Sequence, residues 1–455
     1  MNRPRFRKNK RKHALLISPR QKGMGTSTDM LFPFPSLTLS TLAATFPEDY
    51  DVRIIDESVS WARGGEQADI VFITALTSAA PRAYHLADIY RKRGIPVVIG
   101  GVHATLQPEE AQEHATSVVT GEAENMVPHL LSDFESGALA PLYQNTHFSD
   151  FNTVLYPALH LLNWRHRFFI SPLQTSRGCP KDCDFCCVPR ISGRKLRLKS
   201  LAAVEKELVY LSRFRSRTLF IVDDNFTLKK ERCLEIITLF RRFGFRWMAF
   251  SNLSVSEDED YMKVLAKSGC ISLFIGFESL HRHFTKNRSF KTPEAVAQAI
   301  KMIHKHGIGI QGAFIFGFDE DTPEVVRETV SFIQETGIDL PTISLLTPFP
   351  GTPLFDELEQ KGRILHKDWS YYDMNHVVFR PENMTSEELQ QGYAWALKYL
   401  ASPTSIIARI NKKSAAKAYF LTINFALHCS QTRIARRLWN PRVQTSLQER
   451  NLCLC

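Results

Sequence analysis

Two series of short apolar runs, separated by stretches with helical spacing, constrain the fold of this 455-residue chain more than any other feature. Short apolar strands that alternate with helices predict a parallel sheet covered on both faces. Ligands of such folds bind at the carboxyl ends of the strands. The five runs of the first series occupy residues 13–19, 52–57, 69–76, 96–101 and 117–122.

The second series predicts an open, incomplete version of the barrel that normally has eight βα units. Its six runs occupy residues 168–176, 219–225, 246–252, 271–279, 308–318 and 342–351. Barrel enzymes build their active sites where the strands end. Several of these runs end in polar residues, namely Asp223, Asp224, Ser251, Asn252, Glu278 and Ser279.

The chain is too long for one ordinary core, so we expect an α/β protein with more than one domain. The prediction is a Rossmann-like domain with a doubly wound parallel sheet, then a partial (β/α)6 barrel, then a helical C-terminal region. The predicted boundaries are a basic tail at 1–12, the first domain at 13–140, a linker at 141–164, the barrel at 165–352 and the helical region with its basic end at 353–455.

The net charge of +10 is uneven, because residues 1–12 contain no acid and residues 412–450 are also basic. Such ends are usually solvated tails, and contact with an anionic membrane surface or a nucleic acid is the alternative. Neither a signal peptide nor an apolar run long enough to cross a bilayer is evident. We therefore expect a cytoplasmic protein, with peripheral contact at the inner face of the membrane left open.

Four of the nine cysteines lie in one loop after the first run of the second series. Clustered thiols in a long chain without an export signal favour a metal site over disulfides. Cys179, Cys183 and Cys186 form a C-x3-C-x2-C pattern, and three thiolates can hold three irons of a cubane and leave the fourth iron open. Structural zinc is the alternative, but it requires four ligands, and the adjacent Cys187 is poorly placed as the fourth. The role of Cys187 is unexplained.

The same loop carries the aromatic Phe185 between its last two cysteines, and it resembles the cysteine loop of the radical S-adenosylmethionine (SAM) superfamily. The resemblance implies a [4Fe–4S] cluster on Cys179, Cys183 and Cys186, with SAM on the open iron. It also implies one-electron cleavage of SAM and removal of a substrate hydrogen atom by the 5′-deoxyadenosyl radical. The residues expected at SAM are Phe185, Asp223, Asp224, Ser251, Asn252 and Glu278.

The first domain lacks the G-x-G-x-x-G fingerprint of a dinucleotide site. Its position before such a barrel is similar to that of the cobalamin-binding domain of B12-dependent radical SAM proteins, and IGGVHAT at residues 99–105 is the most specific matching piece. The D-x-H-x-x-G pattern that gives cobalt a histidine ligand is absent, so we interpret His103 as a backbone-organising or corrin-edge residue. The contacts that the resemblance implies are Thr74, Leu76, Thr77, Gly100, Gly101, His103, Gly121 and Glu122.

Together these resemblances imply a B12-dependent radical SAM methyltransferase that acts on an unactivated carbon of a small or lipid-like substrate. Residues after 353, including SEELQQGY at 386–393, look like those of the hopanoid C-2 methylase-like branch, which acts on apolar polycyclic lipids. An electron donor such as flavodoxin or ferredoxin is the expected partner. The main alternative is a cobalamin radical SAM enzyme that forms a ring or rearranges a skeleton without methylation.

Two further functions involve nucleic acids, and neither is favoured. A cobalamin- or redox-responsive regulator would bind nucleic acid through the basic ends, which match no reader motif. Methylthiolation of tRNA requires a second three-cysteine cluster, and residues 1–178 contain no cysteine. The apolar and then basic segment at residues 415–439 predicts either a helix on a membrane surface or a packed core helix.

Overall fold

The structure is a computed structural model, and it describes residues 11–21, 34–145, 148, 150–153, 155–167, 169–281, 290, 292–410 and 416–439. Most of the predicted basic tail and the basic end after Trp439 lie outside the described residues. The chain divides into two compact units. The first comprises Met1–Gly23 and Pro35–Asn163, and the second comprises Met24–Phe34 and Trp164–Cys455.

The first unit contains a six-stranded parallel sheet in the order β2-β1-β3-β4-β5-β6. Its strands are β1 (Lys12–Ser18), β2 (Tyr50–Asp56), β3 (Ile70–Thr74), β4 (Val97–Gly100), β5 (Ser117–Thr120) and β6 (Leu142–Gln144). The strand order reverses at β1, which pairs with both β2 and β3. This reversal is the switch point of a doubly wound sheet, so the predicted Rossmann-like architecture is confirmed.

Helices cover both faces of this sheet, which explains the continuous apolar runs of the sequence. Along β1, Leu15 and Ile17 belong to one apolar cluster, and Ala14 and Leu16 belong to another on the opposite face. The α-helices are α1 (Leu37–Ala43), α2 (Ala80–Lys92), α3 (Val102–Leu106), α4 (Pro108–His114) and α5 (Val127–Ser136). Short 3₁₀ turns lie at Thr77–Ala79 and Leu159–Leu161.

The sixth strand, β6, lies inside the segment predicted as a linker. It has only three residues, of which Tyr143 alone is buried. The Tyr143 hydroxyl donates to Asp133 Oδ2 on α5 at 2.7 Å. A strand with only one buried side chain shows no alternating pattern in the sequence. The first series therefore has five apolar runs, although the sheet has six strands.

The second unit contains six parallel strands in the order β7-β10-β11-β12-β13-β14, and its two edge strands do not pair with each other. The predicted partial barrel is thereby confirmed. Its strands are β7 (Ser171–Leu173), β10 (Thr218–Ile221), β11 (Arg246–Ser251), β12 (Cys270–Glu278), β13 (Gly309–Phe316) and β14 (Leu340–Leu345). The first predicted run, at residues 168–176, is interrupted. After β7 the chain leaves the sheet, and β8 (Ser176–Arg177) pairs antiparallel with β9 (Arg197–Leu198).

Capped helices separate and follow these strands. Thr292 accepts from the Ala295 amide to start one of them, and Thr385 and Glu388 form a capping box at another. The helices are α6 (Val188–Ser192), α7 (Leu201–Leu211), α8 (Lys230–Arg242), α9 (Glu259–Lys267), α10 (Pro293–Lys305), α11 (Val325–Thr336), α12 (Pro353–Gln360), α13 (Ser386–Leu400), α14 (Pro403–Arg409) and α15 (Lys417–Leu438). Further 3₁₀ turns lie at Trp164–Arg167, Leu253–Glu257 and Trp369–Tyr371.

The last helix, α15, packs under the amino ends of the barrel strands. Phe420 is fully buried in a cluster with Met248 and Leu340, and its ring lies where a side chain at Gly309 would be. Asn424 donates to the Asp339 carbonyl at 3.0 Å. Of the two predictions for this segment, the packed helix is therefore the one that the structure contains. Among the residues that the structure describes, no helix has the length and apolar character to span a bilayer.

Candidate active site

The cysteine loop is closed at its base by a glycine that no other residue can replace without strain. Gly178 has φ of +92°, and a Cβ at this position would lie 2.4 Å from the Lys195 carbonyl oxygen. The next amide, of Cys179, donates to the Gly193 carbonyl at 3.2 Å. The start and the end of the loop are thus held together by backbone contacts.

The three predicted cluster ligands are free thiols of intermediate exposure. The amide of Cys186 donates to the Cys183 carbonyl at 3.1 Å, which turns the chain between these two ligands. Burial raises the pKa of Cys183 and brings that of Cys186 to about 12. Both thiols are therefore protonated at neutral pH, and iron must displace these protons when it binds.

The donor set fits a cubane better than a single metal ion. Within the described part of the chain, no three His, Cys, Asp or Glu side chains are arranged to hold one ion. Structural zinc requires four ligands on one centre, whereas each thiolate of a cubane binds a different iron. Cys179, Cys183 and Cys186 share a loop and do not converge on one point, so each can bind a different iron of a cubane.

Cys187 has a backbone role that the sequence did not reveal. Its carbonyl accepts from the amides of Arg190 at 3.0 Å and Ile191 at 3.2 Å, so it begins α6. Burial raises the pKa of its thiol. The residue after the last predicted ligand therefore turns the loop into a helix.

Phe185 is positioned by a buried network at the ends of β12 and β13. Its ring meets that of Phe318 edge to face at 5.7 Å. The Phe318 amide donates to Asp321 Oδ2 at 3.1 Å, and Ser279 Oγ donates to Asp321 Oδ1 at 2.5 Å. Asp321 is fully buried. The sequence pointed to Ser279 only as a polar strand end, and Asp321 lies too far along the chain for any local pattern to pair the two.

Asp223 and Asp224, both predicted at SAM, have different surroundings. Asp223 is buried and accepts from the Thr175 amide at 2.6 Å, Thr175 Oγ1 at 2.5 Å and Ser176 Oγ at 2.8 Å. Its carboxylate therefore anchors the segment that leads into the cysteine loop. Asp224 remains solvent-accessible, and desolvation followed by the Asp223 charge raises its pKa to about 6.

Asp224, unlike Asp223, contacts the cysteine loop itself. It accepts a hydrogen bond from the Gly178 amide, and its charge acts on Cys186. The negative charge of Glu278 likewise contributes to the raised pKa of Cys183. The structure therefore brings Asp224 and Glu278 close to the thiols. Asp223 instead has a structural role, because it binds Thr175 and Ser176 of the segment before the loop.

Glu278 adopts a conformation that non-glycine residues rarely adopt. Its φ is +58°, and the pairing of β12 with β13 shifts register between Gly276 and Glu278. A Cβ at Gly276 would lie 2.5 Å from Glu278 Oε1, so the carboxylate folds back along its own strand. Such strain is typical of functional sites.

Ser251 and Asn252 end β11 with local hydrogen bonds. Ser251 Oγ lies 2.6 Å from Thr227 Oγ1. Asn252 Oδ1 accepts from the Ser254 amide at 3.1 Å and caps the turn that follows. Both stay predicted SAM contacts, and their side chains also have these structural partners.

In the first unit, three predicted cobalamin loops meet at the carboxyl ends of β3, β4 and β5. The Ala75 amide donates to the Gly100 carbonyl at 2.9 Å, and the His103 amide donates to the Ala75 carbonyl at 2.9 Å. Gly101 has φ of +94°, and a Cβ there would lie 2.6 Å from Thr74 Oγ1. This close approach accounts for the glycine in IGGVHAT.

The third loop joins the other two through one hydroxyl. Thr105 Oγ1 donates to the Gly101 carbonyl at 2.8 Å and accepts from the Gly121 amide at 3.0 Å. Gly121 has φ of +76°, and the carbonyl of the buried Glu122 accepts from Asn145 Nδ2 at 2.5 Å. Thr105 and Asn145 were not predicted, although Thr105 lies within the matching piece.

Two features of this edge fit a ligand that carries both apolar and hydrogen-bonding groups. Leu76 is 53% exposed beside loops that are otherwise bonded to one another. Thr77 is buried, and its Oγ1 has no hydrogen-bond partner in the structure. His103 by contrast is fully buried beneath the loop, with Nε2 3.5 Å from Glu110 Oε1. Its ring is therefore not presented at the surface as a cobalt ligand, and its backbone-organising or corrin-edge role stays a prediction.

Comparison with known proteins identifies the class. Residues 173–333 match the radical SAM superfamily, and residues 29–131 match the B12 binding domain. The bacteriochlorophyllide d C-12(1)-methyltransferase of Chlorobaculum tepidum is 31% identical over 432 residues, which cover 92% of this chain and 93% of that protein. The chain belongs to the cobalamin-dependent radical SAM methyltransferases, whose cofactors are a [4Fe–4S] cluster, SAM and cobalamin.

Two further matches concern the predicted hopanoid methylase-like branch and the fold. The hopanoid C-2 methylase of Rhodopseudomonas palustris is 26% identical over 73% of this chain and 66% of that protein, so the predicted branch is among the relatives. The radical SAM methyltransferase TsrM of Kitasatospora setae, solved with cobalamin and a [4Fe–4S] cluster bound, covers 94% of this chain and 99% of its own at a TM-score of 0.65. At 16% identity it shows the shared fold alone.

Proposed function

We propose that the enzyme methylates an unactivated alkyl carbon at the rim of a cyclic tetrapyrrole. The relative that matches along nearly the whole chain is named for methylating bacteriochlorophyllide d, which is a metal-containing tetrapyrrole. The substrate is therefore expected to be large, flat and mainly apolar, and to be a tetrapyrrole and not the polycyclic lipid expected from the hopanoid-like branch.

The observation that carries this proposal is an aromatic wall on one face of the second unit's sheet. Phe220, Phe250 and Phe274 lie on three adjacent strands, with ring centroids 5.3 Å and 4.8 Å apart. Phe34 continues the row against Phe220 at 5.4 Å. All of these rings are partly exposed, so they are available to contact the face of a planar ligand.

The alternation along the strands assigns this wall to the inner face of the barrel. Side chains that alternate with the phenylalanines, such as Ile221, Ala249 and Leu273, are fully buried against the helix layer. On the wall side, Gly276 is exposed and Ala313 is partly exposed, and the two residues pair directly. Small residues beside large rings leave a broad, shallow space suited to a macrocycle.

Helix α15 supplies the floor of this space. The side chains of Gln311 and Tyr419 are hydrogen-bonded, and Gln311 Nε2 lies 3.8 Å from Met248 Sδ. Burial raises the pKa of Tyr419 to about 12, so its hydroxyl remains neutral. Gln311, Tyr419 and Met248 carry no charge, which suits a substrate with an apolar ring.

The chain's own residues bind, orient and exclude water, because the cofactors carry the radical and methyl-transfer chemistry. Cys179, Cys183 and Cys186 would hold the cluster. Asp321 holds Phe318, whose ring packs against Phe185 of the cysteine loop. The aromatic wall keeps water away from the carbon that loses its hydrogen atom.

The test is anaerobic reconstitution with iron, sulfide, cobalamin, SAM and reduced flavodoxin or ferredoxin, followed by incubation with bacteriochlorophyllide d. We expect a product heavier by one CH₂, together with 5′-deoxyadenosine and S-adenosylhomocysteine. Cys186→Ala should abolish both the cluster absorbance and the product, whereas the adjacent Cys187→Ala should keep both.

Three outcomes would contradict the proposal. Deoxyadenosine without S-adenosylhomocysteine would indicate the non-methylating alternative. Methylation of a polycyclic lipid but not of any tetrapyrrole would assign the substrate to the hopanoid-like branch. Loss of the cluster in Cys187→Ala but not in Cys186→Ala would overturn the assignment of the ligands.

A further inference from the structure

A turn at residues 371–376 lies on the open edge of the barrel, at the carboxyl end of the last strand. Strand β14 pairs with β13 on one side only, and the carbonyl of Met374 accepts from the Leu345 amide at 2.9 Å where β14 ends. In a closed barrel the next strand would occupy this position. The turn therefore stands beside the gap through which a large substrate can reach the inner face.

The turn is held rigidly around Asn375. Tyr393 Oη donates to Asn375 Oδ1 at 2.6 Å, and Gln390 Nε2 donates to the Asn375 carbonyl at 2.9 Å. The Asn375 amide donates to Asp373 Oδ1 at 2.9 Å. Helix α13 and the buried Asp373 thus fix the turn from two sides.

Met374 is strained and exposed at the tip of this turn. Its φ is +64°, which places a β-carbon-bearing residue in the left-handed region, and 46% of it is exposed. Packing does not explain an exposed side chain in this conformation. Strain that the surrounding contacts impose without a packing gain is typical of residues that face a ligand.

His376 has the arrangement of a metal-binding imidazole. Its Nδ1 lies 3.0 Å from Asp373 Oδ1, and Asp373 is 8% exposed. A carboxylate only accepts, so the neutral ring carries its proton on Nδ1 and a lone pair on Nε2. Metal-ligating histidines characteristically donate their other ring N–H to a carboxylate in this way. The Tyr371 ring lies edge to face with the imidazole at 5.0 Å and restricts its rotation.

We propose that His376 Nε2 is the axial ligand of the metal ion at the centre of the substrate macrocycle. This inference rests on the proposed function. A free ion needs several protein ligands, and no three such side chains are grouped for one within the described ranges. A metal that the macrocycle already holds by four nitrogens needs only one. Met374 and Tyr371 then contact the ring that His376 holds by its metal.

The experiment is an absorption titration of the purified full-length protein, in the dark, with a zinc chlorin and with the same chlorin lacking the metal. Neither titration depends on turnover or on a reconstituted cluster. We expect wild type to bind the zinc form about tenfold more tightly, which corresponds to about 1.4 kcal/mol, with the band shift of axial coordination. His376→Ala should lose this preference and the band shift and still bind the metal-free chlorin, and added imidazole should restore the shift.

His366→Ala is the matched control, because the His366 ring also meets the Tyr371 ring edge to face, at 5.4 Å. It should keep the preference for zinc. Equal affinity of wild type for both chlorins would overturn the axial ligand and leave the proposed function standing. An equal loss of the zinc preference in both histidine variants would also overturn it. If wild type binds neither chlorin, the proposed function itself fails.

Discussion

Replacing Asp223 with alanine tests whether this residue anchors the cysteine loop. Its carboxylate accepts from the Thr175 amide and from the hydroxyls of Thr175 and Ser176. Hydrogen bonds to charged groups contribute about 1.5–3 kcal/mol each. The two hydroxyls can rotate to other acceptors, but the buried amide cannot. The lost amide bond to the carboxylate costs about 1.5–3 kcal/mol, and the buried amide left without an acceptor costs about 1–3 kcal/mol more. We therefore expect Asp223→Ala to lower the free energy of local opening by about 3–5 kcal/mol.

Native-state hydrogen exchange of a peptide that covers residues 171–177 measures this effect. A loss of 3–5 kcal/mol corresponds to exchange that is faster by about a hundredfold to several thousandfold, because every 1.4 kcal/mol is a factor of ten. Iron content after anaerobic reconstitution should fall in parallel, since this segment leads directly into Gly178 and Cys179.

Asp224→Ala is the matched control. This neighbouring carboxylate accepts from the Gly178 amide and remains solvent-accessible, so exchange of the 171–177 peptide should change little. SAM affinity is the property expected to fall. The reasoning is refuted if both variants accelerate exchange equally, or if Asp223→Ala keeps wild-type exchange and loses only SAM binding.

Two further predictions concern the loop of the first unit and the floor of the barrel. Gly101→Ala should cost about 2–5 kcal/mol, from the positive φ and the close contact that its Cβ would make, and should release cobalamin during gel filtration. Gly65→Ala, whose Cβ would meet no atom within 4 Å, should do neither, and equal melting temperatures of the two variants would contradict this account. Phe420→Ala should cost about 3–5 kcal/mol and expose α15 to protease, and wild-type resistance to cleavage would show that this helix is not part of the core.

The parallel sheets were predictable because their signal is local. Along β1, successive residues such as Leu15 and Leu16 face opposite helix layers, so the strand is apolar at every position. The cysteine spacing is also local, since the loop that binds a cluster is short. Both features are present in a few consecutive residues, whatever the rest of the chain does.

The roles of polar strand ends were not predictable to the same degree. The sequence marks Asp223 and Asp224 alike, as carboxylates after a buried strand. Only the tertiary structure reveals that Asp223 binds Thr175 and Ser176, whereas Asp224 accepts a hydrogen bond from Gly178 of the cysteine loop. Which way a side chain faces at the end of a strand depends on neighbours that are distant in sequence.

By itself, the sequence determined the two parallel sheets and the cluster motif, because each is encoded by spacing along the chain. The cofactor class followed from the resemblance of the cysteine loop and of IGGVHAT to the radical SAM and cobalamin-binding proteins. The tertiary structure alone decided that α15 packs under the barrel, since the Phe420 ring needs the space that Gly309 leaves beside it. It likewise decided that Asp321 supports Phe318 and that His376 stands at the open edge of β14. These are contacts between distant segments, and only packing brings such segments together.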